Sequence, residues 1–219
     1  PPPPPSPPHV CRRQRQMCIR DRPCTQLARQ CIRWGLGPSE FFAGIPGTVG
    51  GALAMNAGAH GGETWERVES VRTIDRDGVI HERAPNEYTV GYRSVTGPSN
   101  EWFIEATFRF EPDVTPSKNV MDEMLDRRKQ TQPLGLPSCG SVFRNPPGDY
   151  AARLIEQAGL KGFSIGGAEV SEKHANFIIN RENATATDVE ELIEHVRQKV
   201  IEVHGVELVH EVRIVGEVP

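Results

Sequence analysis

An arginine and a glutamate that lie far apart in the sequence are the first candidates for chemistry on a charged substrate. Arg93 stands between Tyr92 and Ser94, and its guanidinium stays charged and can grip a carboxylate through two parallel hydrogen bonds. Glu211 lies among apolar residues, where burial would raise the pKa of its carboxyl group. Two simpler interpretations stay open, a surface salt bridge for Arg93 and a solvent-facing side chain for Glu211.

A serine in a glycine- and proline-rich loop is the third candidate. In Gly140–Pro146 (GSVFRNP), Ser141 follows a glycine, while Arg144 and Asn145 add groups that recognise anions and amides. The loop is not a G-x-S-x-G nucleophile elbow, and no His/Asp pair is placed to activate a nucleophile. The pattern therefore favours a hydroxyl that donates a proton or a hydrogen bond, with a loop-stabilising serine as the alternative.

A glycine-rich stretch, residues 42–63 (FAGIPGTVGGALAMNAGAHGGE), is called the glycine cradle below. Its 22 residues include seven glycines and five alanines, a density tolerated only where backbone turns sharply or comes close to something else. It is neither a G-x-G-x-x-G nor a Walker loop. A glycine-rich stretch of this kind can turn several backbone N–H groups toward one anion. It therefore predicts a cradle for a flat, phosphate-bearing cofactor, and a tightly packed structural turn is the alternative.

The first half of the chain is predicted to form a β-rich layer, and this layer must position the candidate residues that lie within it. We predict a helix over Thr25–Gly35 and a strand over Trp102–Phe110, and we read EYTVGYRS (87–94) as a loop or short helix. Alternating apolar residues predict strands over Val68–Ile74 and Val79–Arg83, joined at Asp77-Gly78.

In the second half, helical spacing alternates with short strands, which predicts an α+β arrangement. The first helix should cover Lys118–Gln130, with Val120, Met124 and Leu125 facing inward. The remaining expected elements are a helix over Tyr150–Ala158 capped by Asp149, a strand over Asn176–Asn180, a helix opened by a capping box at Thr187–Glu190 and ended by Gly205, and a last strand over Val206–Val215.

Composition excludes several classes of partner. The 219 residues carry a net charge of −4, which gives no reason to expect nucleic acid or an anionic membrane as a partner. No apolar run approaches the roughly 20 residues of a spanning helix, so we expect a cytoplasmic protein. Five cysteines without a C-x-x-C pair indicate neither a zinc site nor a disulfide framework, and Cys139 is expected to be a buried apolar group.

Residues 1–22 differ from the rest of the chain. They join a polyproline stretch to a basic run without helical or strand periodicity. We expect this segment to be a non-native, disordered arm and exclude it from fold reasoning; a native proline-rich arm with a basic patch is the alternative.

Five motifs in order resemble one family. FAGIPGTVGGALAMNAGAHGGE, GYRS, PSCGSVFRNP, AARLIEQAGLKGFSIGGAEVSEKHANFIIN and HEVRIVGE are similar to stretches of the UDP-N-acetylenolpyruvoylglucosamine reductases, flavoenzymes of bacterial peptidoglycan synthesis. The resemblance runs from about Ile32 to Glu217, and five motifs in order are far more specific than any one. The short segment between Arg93 and Ser141 resembles the subtype without the long tyrosine loop.

The resemblance implies a two-part α+β chain. A remnant of a PCMH-like FAD-binding α+β domain would cover residues 23–117, with the strand 206–219 returning to it, and a smaller α+β substrate-binding domain would cover 118–205. The family's N-terminal portion, with its Gly-Ser-Asn phosphate motif, is absent from the sequence, so we expect this chain to bind FAD poorly or not at all. His60 stands where many relatives have tyrosine.

The resemblance also implies the cofactors and the residues that bind them. NADPH would reduce FAD and leave, and UDP-N-acetylglucosamine enolpyruvate would then occupy the same face of a protein expected to be a monomer without metal, nucleic acid or membrane. The residues expected to bind FAD are Gly44, Ile45, Pro46, Gly47, Thr48, Gly50, Gly51, Ala52, Asn56, Gly58, Ala59 and Gly61.

The catalytic roles follow from the same resemblance. Ser141 matches the serine that protonates the substrate carbon next to the one that receives hydride, and Arg93 and Glu211 match residues that bind and polarise the substrate carboxylate. The expected substrate-binding residues are Tyr92, Arg144, Asn145 and His174. Two other functions stay open: a flavoprotein of the same fold with flavin covalently attached at His60, and a non-catalytic sugar-nucleotide-binding fragment.

Overall fold

The computed structural model describes residues 22–111 and 113–216 in full and residues 13–18 by their backbone. The chain divides into two compact units between Asp126 and Arg127. Each unit contains helices and strands, which confirms the predicted α+β class. The division falls inside the helix that was expected to open the second domain, rather than before it.

The first unit is built around a four-stranded antiparallel sheet with the order β1-β8-β4-β5. Short 3-10 turns cover Glu40–Gly44, Thr64–Arg67 and Pro85–Glu87. Its helices and strands are β1 (Arg13–Cys18), α1 (Cys24–Arg33), α2 (Val49–Met55), β2 (Gly58–Ala59), β3 (Gly62–Glu63), β4 (Val68–Asp75), β5 (Ile80–Arg83), β6 (Thr89–Gly91), β7 (Ser94–Thr96) and β8 (Glu101–Phe110).

Strand β1 corrects part of the expectation for the N-terminal arm. Residues 13–18 pair antiparallel with β8, from Arg13 opposite Phe110 to Cys18 opposite Glu105. The edge of β8 presents backbone N–H and C=O groups that any extended segment can pair with, so pairing does not require the apolar alternation that the arm lacks. The expected disorder is therefore wrong for these residues, while residues 1–12 and 19–21 lie outside the described part of the chain.

The core of the first unit joins the sheet to α1 and the glycine cradle. Phe42 from the cradle packs edge-on against Phe108 of β8, with 5.5 Å between ring centroids. Leu27 and Leu53 are fully buried in the same cluster. Burial raises the pKa of Cys24 and Cys31 to about 12, so these thiols are packing groups.

The second unit contains a four-stranded antiparallel sheet, β10-β11-β12-β9, with α4 and α5 sharing its core. Helix α3 crosses the division between the units. The elements are α3 (Lys118–Thr131), β9 (Ser138–Ser141), α4 (Ala151–Gln157), β10 (Ser164–Ile165), β11 (Ala168–Val170), β12 (Phe177–Asn180) and α5 (Ala186–His204).

Helix α5 has the predicted apolar face but a different cap. Its buried face includes Leu192, Val196 and Val200, and Gly205 ends it in the left-handed region at φ 66°. The capping box is formed by Thr185 and Asp188, two residues earlier than predicted at Thr187–Glu190. Hydrogen bonds from the N–H groups of Thr185 and Gly167 lower the pKa of the Asp188 carboxyl group.

Two further predictions are wrong in detail. Val120 was expected to face inward on α3 but is 40% exposed, because Met121 is the buried residue of this helix. The strand expected over Val206–Val215 is replaced, as far as residue 216, by irregular backbone with one isolated bridge between Phe143 and His210. Leu208 of this segment is buried in the core of the second unit, whereas the sequence led us to expect a return to the first.

The close packing of the cradle leads to a testable prediction at Gly58. A Cβ added there would lie 2.6 Å from the carbonyl oxygen of Gly62, so we expect Gly58→Ala to lower the free energy of unfolding by about 1–3 kcal/mol through overpacking. Urea denaturation followed by circular dichroism measures this. Gly91→Ala is the control, because a Cβ there meets nothing within 4 Å. Equal stability of the two variants would contradict the packing described.

The two possible caps of α5 can be separated by two threonine substitutions. Thr185 Oγ1 accepts a hydrogen bond from Asp188 N–H at 3.1 Å, so Thr185→Ala should lower the free energy of unfolding by about 1 kcal/mol. Thr187 is exposed inside the first turn, and Thr187→Ala should change it by less than about 0.5 kcal/mol. A larger loss in Thr187→Ala, measured by the same denaturation, would reverse the assignment.

Candidate functional site

The structure brings Ser141 and Glu211 together in the second unit. Residues 141–144, called the Ser141 strip, run from the end of β9 into the following loop. The carbonyl oxygen of Val142 accepts hydrogen bonds from the N–H groups of Glu211 at 2.8 Å and Val212 at 3.3 Å. Both Ser141 and Glu211 are partly buried. Two candidate catalytic residues that are seventy positions apart therefore share one local backbone arrangement.

The other side of the Ser141 strip is held by a residue that the sequence analysis did not single out. Asn176, 4% exposed, donates from Nδ2 to the carbonyl oxygen of Phe143 at 2.8 Å, and its Oδ1 accepts from Phe143 N–H at 3.0 Å. Its own carbonyl oxygen accepts from Val142 N–H at 2.9 Å. The strip thus has hydrogen-bonded partners on both sides.

Arg93 lies at the tip of a short hairpin in the first unit. EYTVGYRS, interpreted from sequence as a loop or short helix, instead contains β6 and the start of β7, which are joined by Tyr92 and Arg93. Arg93 has φ 52° and its guanidinium carbon lies 5.8 Å from the centre of the exposed Tyr92 ring. Strands of three residues each are too short to show a period in the sequence, so the hairpin was missed.

Asn56 ties this hairpin to the glycine cradle. It is 2% exposed and ends α2 in the left-handed conformation. Its Nδ2 donates to Glu63 Oε2 at 2.7 Å and to the Gly91 carbonyl oxygen at 3.3 Å, and its Oδ1 accepts from Trp65 N–H at 3.1 Å. The residue expected to bind FAD therefore uses its side chain to hold the backbone next to Tyr92.

Four of the seven cradle glycines form two groups that differ in what surrounds them. At Gly44 and Gly58 an added Cβ would come within 2.7 Å and 2.6 Å of Ala59 Cβ and the Gly62 carbonyl oxygen, so these glycines allow the cradle to pack against itself. At Gly47 and Gly61 the backbone has positive φ and an added Cβ would meet nothing within 4 Å. The second group leaves open backbone, as a cofactor that approaches closely would require.

The first turn of α2 has the donors that a phosphate needs. Thr48 Oγ1 accepts from Gly51 N–H at 3.3 Å, while neither Gly47 N–H nor Gly50 N–H donates to any acceptor within the described residues. Such unpartnered N–H groups at a helix start favour anions. The cradle thus fits the phosphate-bearing part of a dinucleotide cofactor.

The remaining residues expected to bind the cofactor differ in exposure and in what they pack against. Ile45 and Ala52 are buried in the core, whereas Pro46 is exposed and Ala59 packs against Gly44. The His60 ring also lies against Gly44, since an added Cβ there would come within 2.8 Å of His60 Cδ2.

Asn145 and Arg144, two expected substrate-binding residues of the second unit, differ in their hydrogen-bond partners. Asn145 is exposed, and its Oδ1 accepts from Ala151 N–H at 3.1 Å at the start of α4. Its amide thus does part of the capping expected of Asp149, whose carboxylate accepts from Tyr150 N–H. Arg144 donates its backbone N–H to the Val209 carbonyl oxygen at 2.9 Å, and its buried Nε has no acceptor within the described chain.

His174 is a neutral polar group at ordinary pH. Its ring stands edge-on to Phe177 at 4.7 Å, and its Nδ1 is buried without a hydrogen-bond partner in residues 22–111 and 113–216. Desolvation by burial lowers the pKa of this imidazole. His174 can therefore offer a hydrogen bond to a ligand but little charge.

Membrane-spanning helices, metal-binding clusters and the exposure of Cys139 can also be assessed in the described residues. In the part of the chain that is described, none of the helices has the length and apolar character to cross a membrane. Over the same residues, no group of three or more His, Cys, Asp or Glu side chains could hold a metal ion. Cys139, expected to be buried, is exposed on β9 because it precedes the point where the strip enters the core.

Two family models match the chain. Residues 23–83 match an FAD binding domain, which includes the whole glycine cradle and confirms the predicted FAD-binding fold. Residues 132–215 match the C-terminal domain of UDP-N-acetylenolpyruvoylglucosamine reductase, which includes the Ser141 strip and Glu211.

Curated relatives carry one name. The chain is 61% identical over 195 residues to the UDP-N-acetylenolpyruvoylglucosamine reductase of Alkalilimnicola ehrlichii, a match that covers 89% of this chain and 65% of the relative. It is 57% identical over 194 residues to the Coxiella burnetii enzyme of the same name, covering 88% of this chain and 61% of that one. The chain thus spans less than two thirds of the length of these relatives.

A solved structure supports the same assignment. The crystal structure of UDP-N-acetylenolpyruvylglucosamine reductase from Thermus caldophilus matches with a TM-score of 0.72 and 36% identity, over 84% of this chain and 67% of that one. Sequence motifs, fold and relatives agree, and the chain belongs to the UDP-N-acetylenolpyruvoylglucosamine reductase family.

Proposed function

We propose that this chain acts in the NADPH-dependent reduction of the enolpyruvyl group of UDP-N-acetylglucosamine enolpyruvate, which forms UDP-N-acetylmuramate for peptidoglycan. The observation that carries the proposal is the hydrogen bond of 2.8 Å from Glu211 N–H to the Val142 carbonyl oxygen, directly after Ser141. It supports a site in which a proton-donating hydroxyl and a carboxyl group act on one substrate. The family relation supplies the substrate class.

In this proposal, each of the three catalytic candidates has a separate task. FAD, when bound, supplies the hydride that it has received from NADPH. The Ser141 hydroxyl donates a proton to the substrate carbon next to the one that accepts the hydride. The Arg93 guanidinium binds the substrate carboxylate, and the Glu211 carboxyl group polarises it, so that the negative charge that develops there is stabilised.

The cradle would hold the cofactor. Gly47 N–H and Gly50 N–H would bind its phosphate oxygens at the start of α2, and the open backbone at Gly61 would allow close approach. Tyr92, Arg144, Asn145 and His174 would contact the sugar nucleotide, His174 as a neutral hydrogen-bonding group. We further propose a cytoplasmic location, since the nucleotide cofactor and the sugar-nucleotide substrate are cytoplasmic metabolites, and a monomeric state.

A substitution at Gly51 separates cofactor binding from stability. An added Cβ there has only an ordinary contact, 3.6 Å from Thr48 Oγ1, and alanine is favoured over glycine in a helix by about 1 kcal/mol. Gly51→Ala should therefore keep or raise stability, while its methyl group weakens FAD binding about tenfold, or 1.4 kcal/mol.

Flavin fluorescence quenching measures this, in titrations carried to millimolar FAD because weak binding is expected. Gly91→Ala, outside the cradle and with nothing within 4 Å of the added Cβ, is the control. Unchanged affinity in Gly51→Ala would place the cofactor elsewhere, and no binding by the wild-type chain would remove the cofactor part of the proposal for this chain.

The proton-donor role of Ser141 predicts a split between the two half-reactions. With saturating FAD, Ser141→Ala should leave flavin reduction by NADPH unchanged and slow reduction of the enolpyruvyl substrate by about 10²–10⁴-fold. Stopped-flow absorbance at the flavin band follows both steps. Ser138→Ala, on the same strand but exposed, is the control. Rapid substrate reduction by Ser141→Ala would exclude the role.

A further inference from the structure

Asn176 stands at the point where strand pairing between β9 and β12 stops. The register places Phe177 opposite Ser141 and Ile179 opposite Ser138, with an irregularity between them. Beyond this point the backbone of Phe143 would have no strand to pair with on this side. The Asn176 side chain pairs with it instead, donating to Phe143 O and accepting from Phe143 N–H.

The side-chain amide is well matched to this task. It offers one donor and one acceptor at the spacing of a backbone peptide group, and Phe143 is 1% exposed, so water cannot replace it. A buried N–H or C=O group that loses its partner costs about 1–3 kcal/mol. Asn176 itself is satisfied by these contacts and reaches no other described group through its side chain.

The opposite side of the Ser141 strip is held by the segment that contains Glu211. Val142 O accepts from Glu211 N–H, and Arg144 N–H donates to Val209 O at 2.9 Å. Because the strip is hydrogen-bonded to both neighbours, a shift of its backbone would move Ser141 and Glu211 together. A change at Asn176 that displaced the strip would therefore displace both candidate catalytic residues.

We propose that Asn176 is a positioning residue for the proposed reaction, acting through the backbone of the Ser141 strip and touching no reacting atom. The proposal rests on the function proposed above for Ser141 and Glu211. It assigns to a buried amide the task of fixing where the proton donor and the carboxyl group are presented to the substrate, which goes beyond stabilising the second unit.

The first test follows the backbone itself and does not depend on activity. Amide hydrogen exchange by NMR should show slow exchange at Phe143 and Glu211 in the wild-type chain. In Asn176→Ala both amides should exchange at least tenfold faster under conditions where the second unit remains folded. Asn176→Ser removes the pair of hydrogen bonds to Phe143 but leaves a small hydroxyl and adds no buried charge, so it serves if Asn176→Ala does not fold.

A matched core variant separates positioning from general destabilisation. Val200→Ala removes methyl groups from the same core, where Val200 is fully buried, but removes no hydrogen bond of the strip. Both variants should lower the free energy of unfolding. Only the Asn176 variants should increase exchange at Glu211; an equal increase in Val200→Ala would overturn the proposal.

The second test is a double-mutant cycle on turnover. Asn176→Ala should lower kcat for substrate reduction about 30-fold, with KM within about threefold and the rate of flavin reduction by NADPH unchanged. In a Ser141→Ala background the same substitution should lower kcat by less than about tenfold, because the part of its effect that acts through Ser141 is then absent and only the part through Glu211 remains. Additive losses would show that Asn176 acts independently and would overturn the proposal.

The two proposals can fail separately. If the wild-type chain reduces flavin but not the enolpyruvyl substrate, the proposed function fails, and the exchange measurements still decide whether Asn176 holds the strip. If turnover is normal and Asn176→Ala leaves kcat and the Glu211 amide unchanged, the positioning role fails while the proposed function stands.

Discussion

The need to satisfy buried backbone polar groups in irregular segments governs both units of this protein. The candidate functional residues lie on hairpin tips and loops, where no long strand or helix supplies hydrogen-bond partners. In each unit an almost fully buried asparagine fills this gap, Asn56 beside the Arg93 hairpin and Asn176 beside the Ser141 strip. A side-chain amide can imitate a peptide group, so it extends pairing where the main chain cannot. The loops gain a fixed backbone without losing the exposure that a substrate requires.

The glycine cradle shows that one composition can serve two physical purposes. At Gly44 and Gly58 the absent side chain lets backbone and small side chains approach each other, and this builds the cradle. At Gly47 and Gly61 the absent side chain leaves an open surface and permits positive φ. The packed-turn interpretation is confirmed at Gly44 and Gly58, while the cofactor cradle stays a prediction for the open glycines Gly47 and Gly61. Close packing at Gly44 and Gly58 fixes the cradle backbone, and this allows the backbone at Gly47 and Gly61 to stay open.

The sequence predicted the elements that carry a long period and missed those fixed by single hydrogen bonds. Strand β8 and helix α5 repeat their pattern over 10 and 19 residues, so their existence was clear. Thr185 and Thr187 are each followed three residues later by an acid, and only tertiary contacts such as Gly167 N–H to Asp188 choose between them. Residues 206–215 alternate in polarity and Leu208 is buried, yet within the described chain the strand pairing of this segment is limited to the isolated bridge at His210, so the alternation did not produce a strand. Asn176 left no signal, because one amide makes no pattern.

Charge explains why fixed donors matter for the proposed substrate. A sugar nucleotide carries a diphosphate and, here, a carboxylate, while the chain has a net charge of −4, so the overall field does not attract it. His174 adds no compensating charge, because burial lowers the pKa of its imidazole. In the proposed function, recognition would come from local donors, which are the Arg93 guanidinium and the N–H groups at the start of α2 in the first unit and the Arg144 guanidinium in the second. A local donor discriminates only if it is held in place, so in the proposed function the buried amides that hold the loops would matter as much as the residues that face the substrate.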